Sequence, residues 1–277
     1  MYVCPKCKNN IDLQKQRCNN CRLEFKYERN HFIYNYDRLL FDKYKNIFLR
    51  NKVLNNNGLI SYLLLEEASL SLENRDDVRR FRNFIETQLE KNKKNKILDI
   101  GCGLMELPGY LNFEEIEKMD LYGLEPIESS KFKGKLITGC SEFIPLEDKS
   151  MDVVIFATSI DHVCSIEDSI NEVKRLLKKD GKVFIWMSDN EKSILSKIKK
   201  LIKTTFEYFK YGYRTDKYKI FNNFKVVLEV PRGGVDPFHS FFESPKIIEN
   251  KFKKSGFYMT NKVINTKDEV FLTFEIK

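Results

Sequence analysis

Cys4, Cys7, Cys18 and Cys21 fall into two pairs with the spacing C-x2-C-x10-C-x2-C. Thiolates paired in this way can reach one ion from a tight turn, and two such turns complete a tetrahedral Zn2+ site. Four sulfur ligands close the coordination sphere to water and substrate, so this zinc would be structural. A segment of about thirty residues buries too little apolar surface to fold alone, and the metal supplies what the core lacks. A redox C-x-x-C motif is the competing reading, but it needs one pair beside a βαβ unit and leaves the second pair unexplained.

A second constellation begins at Asp99, Gly101 and Gly103, which form D-x-G-x-G after a short apolar run. Glycines at the carboxyl end of a parallel strand let a ligand approach the backbone where α/β proteins bind their ligands. Glu106 stands where a dinucleotide fingerprint needs a small residue, and there is no phosphate-binding lysine for a P-loop. A carboxylate at Asp99 attracts a ligand with positive charge and repels a pyrophosphate. Glu125 ends the next strand-like run, where it can accept hydrogen bonds from both hydroxyls of a ribose.

The chain has 3 histidines. His162 follows Asp161, and His239 lies in the segment D-P-F-H-S-F-F. Asp161, His162 and His239 are the candidate catalytic residues should the chemistry need a proton moved. The structural alternative makes Asp161 a helix cap, packs His162 beneath that helix and leaves His239 on a loop carbonyl.

The elements that must position these groups are legible in outline. Strands are predicted at Lys96 to Gly101, Leu121 to Leu124, Lys135 to Thr138, Val153 to Ala157 and Lys182 to Met187. Val78, Phe81, Ile85 and Leu89 make one apolar helical face between Asp76 and Glu90. Further helices are predicted through Tyr110 and Leu111, before Asp180 and Gly181, and over Pro245 to Lys254. The segment Tyr34 to Tyr44 reads as an amphipathic helix able to pack over a ligand site.

From about Lys96 to Trp186 the chain resembles class I methyltransferases that use S-adenosylmethionine. The motifs I-L-D-I-G-C-G, Y-G-L-E-P, E-x-x-P-L-x-D-x-S-M-D and E-V-K-R-L-L-K-x-D-G stand in the family's order. The resemblance implies an α/β, Rossmann-like, seven-stranded sheet with a reversed terminal hairpin at Phe257 to Ile264 and Glu269 to Ile276. It also implies that Asp99, Gly101 and Gly103 surround the methionine moiety, Glu125 the ribose, and Ser141 with Glu142 the adenine edge. Two positions depart from the pattern: Met105 replaces a frequent third glycine, and Cys140 stands where an aspartate often meets the adenine amino group. Residues 3 to 34 resemble the zinc ribbons that precede the catalytic domain in many bacterial methyltransferases. The expected organisation is a ribbon over 1–30, a helical connector or cap over 31–95, and a methyltransferase domain over 96–277 with a lid-like insertion at about 188–237.

The chain is 277 residues long with 42% hydrophobic residues and a net charge of +8. It can bury one substantial core plus a satellite module, and no apolar stretch approaches membrane-spanning length. A cytoplasmic protein is expected, since paired and scattered cysteines suit metal and a reducing compartment. In the insertion, lysines alternate with Ile, Leu, Phe and Tyr, a pattern able to hold a phosphorylated group by charge and stacking, or to cover the sheet as a simple amphipathic helix. The leading expectation is methyl transfer to a small molecule, a sugar or nucleotide-linked sugar of surface polysaccharide synthesis. An rRNA or tRNA methyltransferase and a non-catalytic binding protein of the same fold are the other readings. Cys18→Ser is expected to abolish stoichiometric zinc and unfold the ribbon, checked by metal analysis of the purified variant.

Overall fold

The computed structural model describes residues 2–45, 75–90, 93–114, 116–128, 131–189, 243–266 and 269–276. His239 and the insertion from position 190 onward lie outside these residues.

The N-terminal segment carries two short strands, β1 (Ile11–Asp12) and β2 (Arg17–Cys18), then a hairpin of β3 (Phe25–Glu28) and β4 (His31–Tyr34). The two C-x-x-C turns are built alike. Cys4 N–H donates to Asn9 O at 2.9 Å and Cys18 N–H to Leu23 O at 2.8 Å. Lys8 and Arg22, each just past its second cysteine, both adopt positive φ, at 59° and 61°. One local conformation used twice brings all four sulfurs together.

Helix α1 runs over 36–45 and opens where Asn35 Oδ1 accepts from Arg38 N–H at 3.1 Å. Beyond it come α2 (Asp76–Glu86), β5 (Lys96–Ile100), β6 (Asp120–Glu125), β7 (Lys135–Thr138) and β8 (Met151–Ala157). The chain then forms α3 (Ile166–Leu176), β9 (Leu177–Met187), α4 (Pro245–Lys254), β10 (Phe257–Thr266) and β11 (Glu269–Ile276).

One sheet holds nine of these strands in the order β10-β11-β9-β8-β5-β6-β7-β4-β3. The expectation was seven. The seven are present, with β11 antiparallel between β9 and β10, and the hairpin from the N-terminal segment adds two more. His31, Phe32 and Ile33 of β4 pair in parallel with Leu136, Ile137 and Thr138 of β7. The segment expected as a helical connector from position 31 therefore opens with a strand, because Phe32 and Tyr34 gain full burial only by joining the sheet.

Every residue of β8 is buried, the pattern of a strand covered on both faces. Val78, Phe81, Phe84 and Ile85 of α2 pack with Ile97, Ile155, Phe184 and Phe271 on one side. Ile166, Ile170 and Val173 of α3 and Ile248 and Phe252 of α4 pack with Leu98, Val154 and Ile185 on the other. Ser165, not Asp161, caps α3: its Oγ accepts from Asp168 N–H at 3.2 Å.

The helix predicted through Tyr110 and Leu111 is a single 3-10 turn over Gly109–Leu111. Pro108 before it, Gly109 at its start and the non-helical Asn112 after it leave no room for a longer helix. The helix predicted to reach Glu90 ends at Glu86. No helix among the described residues is long and apolar enough to cross a membrane.

Phe81 is fully buried and its ring lies 5.4 Å from Trp186, 5.0 Å from Phe271 and 5.7 Å from Tyr110. Phe81→Ala is expected to cost about 3–5 kcal/mol in urea unfolding followed by fluorescence of Trp186, the single tryptophan. A loss below about 1 kcal/mol would show that α2 does not hold this face.

Candidate functional site

The chain order of the sheet reverses at β5, which pairs with β6 on one side and β8 on the other. Loops leaving the two sides diverge at such a point and open a crevice at the carboxyl ends of the strands. Asp99, Gly101 and Gly103 stand at the end of β5 and Glu125 ends the neighbouring β6, with Asp99 paired opposite Gly123.

Gly101 and Gly103 have φ of 78° and 74°. The close approach at Gly101 comes from inside the protein as well: a Cβ there would lie 2.6 Å from Ser159 Cβ, in the loop after β8. Ser159 Oγ in turn donates to Ile100 O, fastening that loop to β5.

Two buried carboxylates face this turn. Glu125 accepts from Gly103 N–H through Oε2 at 2.9 Å and from Ile127 N–H through Oε1 at 3.3 Å. Asp99 is wholly buried; its Oδ2 accepts from the Tyr110 hydroxyl at 2.9 Å, while Oδ1 has no partner. Burial pushes the Asp99 carboxyl up to about 7, opposed by the Tyr110 hydrogen bond and reinforced by the nearby Glu125 charge. Burial also pushes Glu125 up to about 7, against the pull of its two backbone donors. Burial of two acids this close together marks the turn as a candidate binding site.

Ser141 and Glu142 lie beyond β7 and are both buried. Ser141 Oγ is 2.7 Å from Ser169 Oγ on α3. Glu142 Oε1 accepts from Cys164 and Ser165 N–H, and Oε2 from the Ser141 hydroxyl at 3.3 Å. Glu142 thus ties its own loop to the loop before α3. Cys140 is buried beside Tyr34, whose hydroxyl accepts from Cys140 N–H at 3.1 Å.

Asp161 and His162 sit in the loop between β8 and α3, with His162 Nε2 3.6 Å from Asp161 Oδ1. Asp161 is buried and His162 half-buried. The same loop begins with Thr158 at φ 57°, a costly conformation for a β-branched residue, held by its N–H on Trp186 O at 2.8 Å.

Tyr110, Ser159 and Thr158 escaped the sequence reading. Tyr110 serves Asp99 from a turn that looked helical, Ser159 is visible only through its approach to Gly101, and no pattern announces a positive φ at threonine.

Apart from this crevice, the Sγ atoms of Cys4, Cys7, Cys18 and Cys21 all lie within 4.8 Å of one another. Cys4 and Cys21 Sγ are 3.5 Å apart, as are Cys7 and Cys18. Asn20 and Cys21 N–H point at Cys18 Sγ at 3.4 and 3.5 Å, the outer hydrogen bonds that steady a thiolate ligand. Donor set and spacing fit a tetrahedral ion such as Zn2+.

Residues 75–237 match a family described as "hypothetical methyltransferase". The uncharacterized protein MJ1252 of Methanocaldococcus jannaschii is 30% identical over 162 residues, 58% of this chain and 61% of that protein. The chain therefore spans about three fifths of the curated relative it matches. Among solved structures, the 1,6-didemethyltoxoflavin-N1-methyltransferase of Burkholderia thailandensis, crystallised with 1,6-didemethyltoxoflavin and S-adenosylhomocysteine, is similar at TM-score 0.54 and 10% identity, covering 85% of this chain and 90% of that one. A methyltransferase from Aquifex aeolicus described as SAM-dependent is similar at TM-score 0.48 and 14% identity, over 74% and 92% of the two chains. Because the family match takes in more than half of its length, the chain belongs to this methyltransferase family.

Proposed function

We propose that the chain transfers a methyl group from S-adenosylmethionine to a small-molecule acceptor, and that Cys4, Cys7, Cys18 and Cys21 hold a structural Zn2+. The observation that carries the reading is the unpartnered, fully buried Asp99 Oδ1 beside the raised Glu125 carboxyl. A dinucleotide phosphate would be repelled there, whereas an ammonium group meets a buried acceptor that the protein leaves open. S-adenosylmethionine, when bound, supplies a methyl group already activated on sulfur.

The protein's task is then positioning more than proton chemistry. Asp99 and the backbone of Gly101 and Gly103 take the methionine end. Glu125 accepts ribose hydroxyls alongside its two backbone donors. Ser141 and Glu142 shape the adenine side, Glu142 by holding the loops together. Asp161 and His162 face the acceptor from the end of β8, where His162 accepts a proton and Asp161 stabilises the imidazolium. A third candidate, His239, belongs to the segment outside the described residues.

For the acceptor, a sugar or nucleotide-linked sugar is favoured by the basic, aromatic composition of the insertion after Asp189, which suits a phosphorylated ligand. The relative from B. thailandensis, named for a small heterocyclic acceptor, supports a small molecule over a polymer. The direct test is calorimetric titration with S-adenosylmethionine and S-adenosylhomocysteine against NAD as control, followed by a screen of sugar acceptors. Binding of NAD alone would sink the proposal.

Two outcomes are expected from the buried acids. Asp99→Asn keeps shape and the Tyr110 hydrogen bond but removes the charge, so affinity for S-adenosylmethionine should fall roughly tenfold or more while stability holds or rises. Unchanged affinity would remove Asp99 from the site. The second concerns pH. Both acids have folded pKa values raised above the unfolded ones, so their contribution to stability is complete below the unfolded values near 3.8 and 4.5 and is lost as pH rises through about 7. The ligand-free protein should accordingly lose melting temperature between about pH 5 and about pH 8, and Asp99→Asn should flatten that slope. Equal slopes in the two proteins would refute the buried-acid picture.

A further inference from the structure

The loop over 139–146, which carries Ser141 and Glu142, is clamped from two sides. On the α3 side, Ile144 N–H donates to Glu172 Oε2 at 2.9 Å, and Arg175 donates to Leu146 O at 2.6 Å and Ile144 O at 3.0 Å. On the other side the cysteine ribbon supplies several contacts, beside Tyr44 and Lys43 of α1 on Phe143. Val3 N–H donates to Pro145 O at 3.1 Å, and Tyr2 forms a bridge with Leu146. Lys8 Nζ reaches Ile144 O at 3.2 Å and Glu172 Oε2 at 2.6 Å. Val3 directly precedes Cys4 and Lys8 directly follows Cys7, so both clamps are one residue from a sulfur ligand.

Tyr34 is the third clamp. Its hydroxyl accepts from Cys140 N–H and donates to Phe143 O at 2.8 Å, pinning both ends of the turn that contains Ser141 and Glu142. Its ring lies so close to Gly139 that a Cβ there would stand 2.3 Å from Tyr34 Cε1, which makes the glycine obligatory. The chain continues from Tyr34 to Tyr36, whose hydroxyl donates to Pro126 O at 2.9 Å, next to Glu125. The ribbon and the residues that follow it thereby contact the loops after both β6 and β7.

We propose that the ribbon is one wall of the cofactor site, with Tyr34 as a positioning residue, so that metal on the four cysteines and S-adenosylmethionine in the crevice strengthen each other's binding. This rests on the function proposed above. The physical content is linkage. The loaded ribbon fixes Val3, Lys8 and Tyr34, these fix the loop over 139–146, and a loop already fixed costs the ligand less order on binding. Reciprocity then requires one factor in both directions.

The test uses the full zinc-loaded chain. Zinc affinity is measured by equilibrium competition with a chromophoric chelator, with and without saturating S-adenosylhomocysteine, and S-adenosylhomocysteine affinity is measured with the metal bound and chelated. The expected result is an increase of roughly fivefold or more, equal in both directions. Tyr34→Phe, which loses only a hydroxyl, should retain stoichiometric zinc, bind S-adenosylhomocysteine several-fold more weakly with the metal present, and shrink the linkage factor toward one. Phe252→Ala, a core change on α4 away from the clamps, should lower stability and leave the factor intact, separating positioning from general loosening. Tight S-adenosylhomocysteine binding with a factor of one, or an undiminished factor in Tyr34→Phe, overturns the inference and spares the proposed function. Failure of the zinc-loaded wild type to bind S-adenosylhomocysteine overturns both.

Discussion

Two carboxylates placed in a dry interior at the ends of adjacent strands set the terms for the rest of this protein. Charges there are expensive, and Asp99 and Glu125 respond by holding their protons toward neutral pH. Keeping them in place requires a sheet covered on both faces, a glycine turn that brings the Gly103 N–H to Glu125, and a tyrosine reaching Asp99 from a neighbouring turn. The layers of α2, α3 and α4 create the low-dielectric surroundings in which one open acceptor becomes selective for one sign of charge.

The N-terminal module solves a different problem. Its own apolar content is small, and it gains burial by giving Phe25, Phe32 and Tyr34 to the core of the larger domain. The cysteine cluster organises the two knuckles, while the aromatic hairpin supplies most of the apolar docking surface. Phe32 shows the division: it is fully buried, stacked on Tyr2 at 4.9 Å and Phe25 at 4.7 Å, yet none of these rings touches the crevice chemistry.

Much of this was legible in the chain itself. Ile97 to Gly103 announces strand, turn and acid together because residue type and local conformation coincide there. The cysteine spacing is equally local, and so are the strands ending at Thr138 and Ala157. What stayed hidden depends on partners distant in sequence. His31–Tyr34 carries no strong alternation, and its strand character comes from β7, about a hundred residues away. Tyr110 looks like any aromatic at the start of a helix, and its role appears only when α2 sets Phe81 against it. The alternative reading of Asp161 as a helix cap fails, because Ser165 holds that position and its side chain accepts from Asp168 N–H.

The parallel pairing of β4 on β7 has a consequence for solubility. Without it, Lys135–Thr138 would present a row of open backbone groups beside the apolar Leu136 and Ile137, a template for another chain. The hairpin moves that boundary outward to β3, where Lys26 and Glu28 face solvent and a short, charged strand discourages docking. A ribbon that let go would turn β7 into the open edge of the sheet.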